Sequence, residues 1–411
     1  MNTFFALIRT SNLIYIFLTL CALRFLLIDP LFVMAGYTPS LHTVGFLLLI
    51  LSVMLIAAAG YIINDYFDIE ADRINKPEKA LIGKAISPDK AMLYYHVCNS
   101  AGIILGGVLA WQVGNIRLIF VHLITAALLW FYATSLKRKP FIGNLIISAL
   151  VALSIFCVAL FDLELLTYTG IKIKVIFKSL FESVTGFLVT APELNNYTNR
   201  ELLDTILTYV AGYAGFAFIL NLIRELAKVM EDLEGDEEAG YRTLPLVAGV
   251  AFTKLLAAGL TLITVNFIAK FQISQMLAGQ IPVAIATLIL IQLPLIYITY
   301  KLYKASQKHD FSHISKIVKL VMLAGLLYLP YLRAGMQFIP PQTTLPPGIE
   351  SITFEPDTTN ILTVDTAEAN LPDTIKYIID TKTGLTRPDT ASVPVEPKKN
   401  TLKTIGDDLL K

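Results

Sequence analysis

Nine long apolar runs, at 12-29, 41-63, 91-113, 116-134, 141-160, 206-226, 246-269, 277-300 and 314-334, constrain the fold of this chain more than any other feature. A helix needs about 20 apolar residues to cross the hydrocarbon layer of a bilayer. Backbone polar groups in that layer must be satisfied within the segment, so each run reads as a membrane helix. With 55% of its 411 residues hydrophobic and 16% charged, the chain is too apolar for an ordinary soluble protein of this size. The expected fold is all-α, a nine-transmembrane-helix bundle. Arg24 falls near the end of the first run, where a long side chain is expected to snorkel to the interface.

An odd number of spans places the two termini on opposite faces. Lys and Arg residues decide which face is which: 16 of them fall in 64-90, 135-140, 224-245 and 301-319, against Arg24, Arg117 and Lys270 in the short loops of the other face. The first set is therefore expected in the cytoplasm together with the N-terminus, in a bacterial inner membrane. The opening residues lack a basic region followed by a small-residue cleavage site, and read as a retained first helix. Residues 161-205 alternate Lys172, Lys174, Lys178 and Glu182 with apolar neighbours, a pattern suited to the membrane interface. These residues are expected to form an insertion in a membrane domain spanning 1-339. Nine of the 19 prolines fall in the last 72 residues, so 340-411 reads as a separate extracytoplasmic tail containing one hairpin, IKYIIDTKTGLT. Cys21, Cys98 and Cys157 lie far apart in apolar runs and are assigned to packing. No basic stripe with interleaved aromatics appears, which sets nucleic acid aside.

Chemistry enters at Asn64, where the second apolar run stops and the chain reads NDYFDIEADRINKP. On a helix Asp65, Asp68 and Asp72 share one face at i,i+3 and i,i+4 spacing. Like charges so placed need solvent or a multivalent cation, and hard oxygen ligands suit Mg²⁺, which also binds substrate phosphates. A second acidic segment, RELAKVMEDLEGDEEAGYRTLP from Arg224, follows the sixth run and places Asp232 and Asp236 at i,i+4 with Glu231 beside them. The two clusters lie 167 residues apart, counted from Asp65 to Asp232, and suggest two halves facing a common cavity. His309 and His313 have i,i+4 metal spacing but sit in a Lys-rich loop, and no metal role is assigned to them.

These segments, with YATSLKRKPFIGN between them, resemble the UbiA superfamily of intramembrane prenyltransferases over about residues 5-335. The second aspartate segment is most similar to the branch containing geranylgeranylglycerol-phosphate geranylgeranyltransferases. The resemblance implies Mg²⁺-dependent transfer of a polyprenyl group from its diphosphate to a small acceptor. A glycerol-phosphate ether-lipid type of acceptor is the first choice, with an aromatic acceptor of quinone biosynthesis as the alternative. It implies Asn64, Asp65, Asp68 and Asp72 as the first metal set and Asp232 and Asp236 as the second. Lys137 and Arg138 would supply charge to the diphosphate, and Lys84 stands where relatives often carry Arg. Asn12 resembles a position lining the cavity, with helix capping as the alternative. Tyr132 would orient the acceptor, or sit in the interfacial aromatic belt. Val229 stands where relatives commonly carry an aspartate, so metal binding there is expected to rest on Glu231, Asp232 and Asp236. A transporter or a catalytically lapsed binding protein would be a different class. Transport carboxylates lie nearer mid-membrane than these.

Overall fold

Backbone groups that meet neither water nor a partner strand close their hydrogen bonds within a helix. Among the described residues, eight of the predicted runs form helices long and apolar enough to cross a membrane. The computed structural model describes residues 2–34, 39–75, 77, 80–162, 199–277, 279–330 and four strands beyond 348. The chain divides into two units, Met1–Phe338 and Ile339–Lys411.

In the first unit a short helix α1 (Asn2–Leu7) precedes α2 (Thr10–Val33) and α3 (Thr43–Phe67). A two-turn helix α4 (Ile69–Asn75) leads to α5 (Pro88–Gln112), α6 (Ile116–Thr134) and α7 (Ile142–Leu160). After the segment at 163–198, which lies outside the described residues, α8 (Asn199–Glu231) is followed by two short helices, α9 (Leu233–Glu238) and α10 (Leu244–Ala248). The helices α11 (Val250–Leu277), α12 (Ile281–Lys304) and α13 (Lys308–Leu327) complete the unit. The ninth predicted run corresponds to α13, which starts earlier and carries Lys316 and Lys319. The predicted end of that run, like most of the interfacial segment at 161-205, lies outside the described residues. From Asn199 onward the sequence assigned to that segment already belongs to α8.

Large apolar side chains point outward along the helices, with Trp111 at 76% and Leu255 at 70% exposure, and Leu93, Ile104 and Phe120 likewise exposed. Apolar surface on this scale belongs against lipid. Inside, small residues let helices approach closely. A Cβ on Gly102 of α5 would come within 2.6 Å of Ile56 on α3, and Ser52 donates to the Gly102 carbonyl at 2.6 Å. Asn221 of α8 donates to Ser148 of α7 at 3.3 Å.

Arg24 does not snorkel. It is 4% exposed, pairs with Asp29 at 2.6 Å, donates to the Leu41 carbonyl at 2.9 Å and lies 5.2 Å over the Phe46 ring. In a regular α-helix positions five apart diverge by about 140°. Here Leu23–Ile28 is wound as a π-helix, with the Asp29 N–H on the Arg24 carbonyl, and the wider turn brings the two charges to one side.

The second unit is a four-stranded antiparallel sheet in the order β1 (Ile349–Phe354), β2 (Ile361–Thr366), β3 (Thr374–Ile379), β4 (Thr386–Pro388). Ile379 pairs with Thr386 at the end of the hairpin expected from the sequence. Two strands more than that expectation precede it, because their Thr and acidic residues mask the apolar alternation by which strands are recognised.

Candidate active site

The two acidic segments have the same backbone. Helix α3 ends at Phe67, Asp68 takes φ −100° and ψ 9°, and α4 resumes at Ile69. Helix α8 ends at Glu231, Asp232 takes φ −95° and ψ 13°, and α9 resumes at Leu233. Hydrogen bonding to the residue four back runs through both breaks, from Asp68 to Asn64 and Asp72 to Asp68, and from Asp232 to Lys228 and Asp236 to Asp232. Asp68 and Asp72 therefore correspond to Asp232 and Asp236 with an offset of 164 residues. By the same offset Asn64 corresponds to Lys228 and Asp65 to Val229.

In the first segment Asp65 and Asp68 are each held by cations or donors from elsewhere in the fold. Arg9 donates to Asp65 at 2.6 Å and stacks 5.0 Å over the Tyr61 ring. Arg9 holds a left-handed backbone, φ 51° and ψ 56°, at the junction of α1 and α2, a conformation that costs a non-glycine residue free energy and is kept where the surroundings enforce it. Burial works against its charge, but the Asp65 carboxylate and the Tyr61 phenol beside it raise the pKa of the guanidinium above its ordinary value. Lys137 donates to Asp68 at 2.6 Å, Asn64 donates to the other oxygen of Asp68 at 2.8 Å, and the Tyr241 hydroxyl donates to Asp68 at 3.1 Å. Burial lowers the Lys137 pKa from its ordinary value, an effect that Asp68 partly offsets. Burial and the same carboxylate raise the Tyr241 phenol well above its usual range, which keeps it a donor.

Besides the Tyr241 contact to Asp68, Asn75 ties the two segments together. The Asn75 amide at the end of α4 donates to the Asp232 carbonyl at 2.9 Å and accepts from the Gly235 N–H at 3.0 Å. Only glycine fits beneath it, since a Cβ at 235 would lie 2.4 Å from the amide nitrogen. Lys308 donates to the Asn75 carbonyl at 2.8 Å from the start of α13. The result is a single cleft of about 770 Å³ lined by Asn12, Asn64, Asp65, Asp68, Asp72, Tyr132, Lys137, Val229, Asp232 and Asp236.

Three predicted residues lie outside it. Lys84 donates to the Pro77 carbonyl at 2.7 Å on the exposed side of its loop, Arg138 stacks 5.1 Å over the outer face of Tyr241, and Glu231 lines a surface groove with Lys301, Lys308 and His309. Glu231 is directed away because it immediately precedes Asp232 on a helix, about 100° around the axis. The same groove holds His313, and His309 has Asp310 at 3.4 Å.

The cleft also contains cations that the motifs did not single out: Arg9, Arg224, Lys228 and Lys319. Glu225, 5% exposed, sits among them, accepting from Arg224 at 2.8 Å and lying 3.6 Å from Lys228. Arg224, Glu225 and Lys228 were legible as the turns of α8 just before Asp232, on the helical face that points into the cleft. The signal for Lys319 was a charge inside an apolar run, which marks function by default.

The donor set of Asp65, Asp68, Asp72, Asp232, Asp236 and the Asn64 amide oxygen is hard oxygen throughout, the chemistry that suits Mg²⁺. Among the described residues no three Asp, Glu, His or Cys side chains converge as one metal cage.

A lipid-facing helical bundle whose two aspartate segments share one cleft defines a membrane enzyme acting on a phosphorylated substrate. Residues 25–321 match the UbiA prenyltransferase family, and the chain belongs to it. It is a multi-pass membrane prenyltransferase. Digeranylgeranylglyceryl phosphate synthase of Methanosphaera stadtmanae is 28% identical over 330 residues, covering 80% of this chain and 97% of that protein. The protein of the same name from Thermococcus sibiricus is 33% identical over 219 residues, covering 52% of this chain and 60% of that protein. A UbiA homologue from Archaeoglobus fulgidus, solved bound to GPP and Mg²⁺, is 17% identical with a TM-score of 0.43, covering 80% of this chain and 99% of that chain.

Proposed function

We propose that the protein transfers a polyprenyl group from its diphosphate to a hydroxyl of a glycerol-phosphate ether lipid, with Mg²⁺ held by the aspartates of the two segments. The observation that carries this reading is the joining of both aspartate segments, through Asn75, at the mouth of one cleft that continues into apolar cavities. The names borne by the similar proteins of Methanosphaera stadtmanae and Thermococcus sibiricus support the acceptor class.

The reaction breaks the allylic carbon–oxygen bond, and its electron pair leaves with the diphosphate. The acceptor oxygen forms the new ether bond to that carbon, and its proton passes to water at the open mouth. Mg²⁺, when bound, supplies positive charge to the departing diphosphate. Asn64, Asp65, Asp68 and Asp72 would hold it at the first segment, and Asp232 and Asp236 at the second. Lys137 and Arg9 stand within reach of the same oxygens and would turn from Asp68 and Asp65 toward the diphosphate as its charge develops, the kind of electrostatic stabilisation that dominates such steps. Tyr241 fixes the Asp68 carboxylate. Tyr132 lines both the polar cleft and an apolar cavity behind it, which supports a role for it where the head group meets the chain. The excess of Lys and Arg on this side supports a cytoplasmic cleft.

The purified full-length protein, incubated with Mg²⁺, prenyl diphosphates of several lengths and a panel of lipid and aromatic acceptors, tests the reading by product mass. A prenylated glycerol-phosphate lipid is the expected product. Transfer only to an aromatic ring would replace the acceptor class, and absence of any diphosphate release would remove the enzymatic reading of this cleft.

A further inference from the structure

Below the cleft lies an apolar space with two branches, of about 200 and 170 Å³, which share Asn12, Asn221 and Arg224 at the top. The branches end differently. The smaller one, between α2, α8 and α13, runs on, since Tyr213, Phe216 and Gly325 line both it and a further apolar cavity of about 150 Å³ reaching α11 and α12. The larger one stops. Three helices carry its walls down to one level, α3 from Asn64 to Val53, α6 from Tyr132 to His122 and α7 from Ile147 to Cys157, each a descent of about 15–17 Å at 1.5 Å per residue.

At that level stands the imidazole of His122, 2% exposed. Its ring lies so close to Gly106 of α5 that a Cβ there would come within 2.5 Å of it, and Phe161 meets it edge to face with the ring centroids 5.5 Å apart. A ring held on two sides by a helix backbone and a core aromatic does not swing aside for a ligand. The hydroxyls on the same walls are satisfied within their own helices, Thr125 on the Val121 carbonyl and Ser154 on the Val151 carbonyl, each at 2.7 Å. His122 differs. Among the described residues no side chain pairs with either ring nitrogen, and the polar group beside it is the Leu118 carbonyl one turn back. A buried polar ring so poorly partnered is costly, and an ionisable residue at membrane depth marks a functional position by default.

We infer that His122 is the floor of an isoprenoid-binding branch and sets the longest isoprenoid chain that a substrate of this enzyme can lay between α3, α6 and α7. This rests on the transferase reading above and adds to it a residue that decides which chain lengths are used. Ile56, Leu129 and Leu150 give the branch apolar walls suited to such a chain. A chain one unit too long would press on a clamped ring, and overpacking of that kind is not absorbed cheaply. An apolar pocket discriminates by about 10–200-fold for a single methylene, so one isoprene unit suffices for a sharp limit. Donor and acceptor can each carry an isoprenoid chain, and a length profile taken for each shows which of them uses the branch.

The test measures initial rates of diphosphate release by the full-length protein with Mg²⁺. One series lengthens the prenyl diphosphate by an isoprene unit at a time, and the other lengthens the ether chain of a glycerol-phosphate acceptor. In at least one series the wild-type kcat/KM should fall sharply beyond a certain length. His122→Ala trades a ring about the size of an isoprene unit for a methyl group. It should raise kcat/KM for the first rejected chain roughly tenfold or more, and change it less than about twofold for chains short of the limit. Val53→Phe, at the same level on the α3 wall, should move the limit one unit shorter, and added to His122→Ala should take back the extra unit. His122→Ser keeps a group able to bond the Leu118 carbonyl, as Thr125 bonds Val121, and should lengthen the limit in the same way if His122→Ala fails to insert. A limit that stays put in His122→Ser or in Val53→Phe would overturn the floor. So would rates that change equally for every chain, the mark of a ring needed only for packing, and so would a wild-type profile with no limit in either series. A wild-type protein that releases no diphosphate with any pair overturns the transferase reading itself, a failure visible before any variant is made.

Discussion

At Asn64–Asp72 and again at Lys228–Asp236 a long helix breaks at an aspartate and restarts one residue later, with near-identical backbone angles at Asp68 and Asp232. The chemistry carried by the two breaks is not the same. Where the first presents Asn64 and Asp65, the second presents Lys228 and Val229. The first segment is a full set of oxygen donors balanced by cations from elsewhere, Arg9 and Lys137. The second keeps two aspartates and carries its own cations on the preceding turns. A duplicated backbone has thus been divided between holding positive charge and holding negative charge, and the comparison can be broken at several points.

The largest effect is expected from the aspartates that the two breaks share. Asp68→Asn and Asp236→Asn should each lower diphosphate release more than about 100-fold, the scale for removing an electrostatic catalytic group. Both variants should still extract from membranes as folded protein, and near-normal turnover in either would remove that aspartate from the metal set. The link between the segments comes next. Gly235→Ala pushes a methyl group into Asn75, and a displacement of this kind should cost roughly tenfold in activity. Combined with Asn75→Ala the loss should be far from additive. Additive losses would mean that Asn75 and Gly235 act independently.

A smaller change is expected where the segments differ. Val229→Asp restores to the second break the carboxylate that Asp65 gives the first, and should lower the Mg²⁺ concentration for half-maximal activity, because affinity for a hard cation follows the number of charged ligands. Glu231→Gln should leave that concentration unchanged, since Glu231 faces the groove beside Lys308 and not the cleft. The reverse result would place the metal on the other side of α8. The smallest effect belongs to the tail: removal of 340–411, a separate compact unit, should change activity less than about twofold.

Much of this was legible before any coordinates, and the rest was hidden for identifiable reasons. Apolar length announced the helices, and i,i+4 acids announced both breaks. The register between the breaks was misjudged by three residues, because counting from Asp65 paired it with Asp232 when the backbone pairs Asp68 with Asp232. Glu231 enters the reading because it adjoins Asp232, and Lys84 because relatives often carry Arg at its position. Direction around the helix turns the first toward the outer groove, and a neighbouring carbonyl at Pro77 captures the second. Asn75 could not have been found by composition, since its role depends on a glycine 160 residues away. Lys319 belongs to no motif, and the apolar residues around it and Lys316 make its run read as a span.

The π-wound turn at Leu23–Ile28 also bears on how the chain enters the bilayer during synthesis. An arginine in a membrane segment costs about 2.5–3.5 kcal/mol at insertion when it sits near the centre. Asp29 leaves the ribosome within the same segment, so the wide turn lets the two charges enter as a neutral couple. Two further partners, the Leu41 carbonyl just ahead of α3 and the Phe46 ring on its first turn, become available only as that helix emerges. The first span is accordingly unfinished until the second arrives, and the two should be integrated as a hairpin rather than one after the other. Asp29→Ala should show this as impaired insertion of the first span, read by glycosylation or protease mapping of short nascent chains, while a chain long enough to include α3 recovers part of it. A first span that integrates equally well without Asp29 would separate the turn from any part in biogenesis.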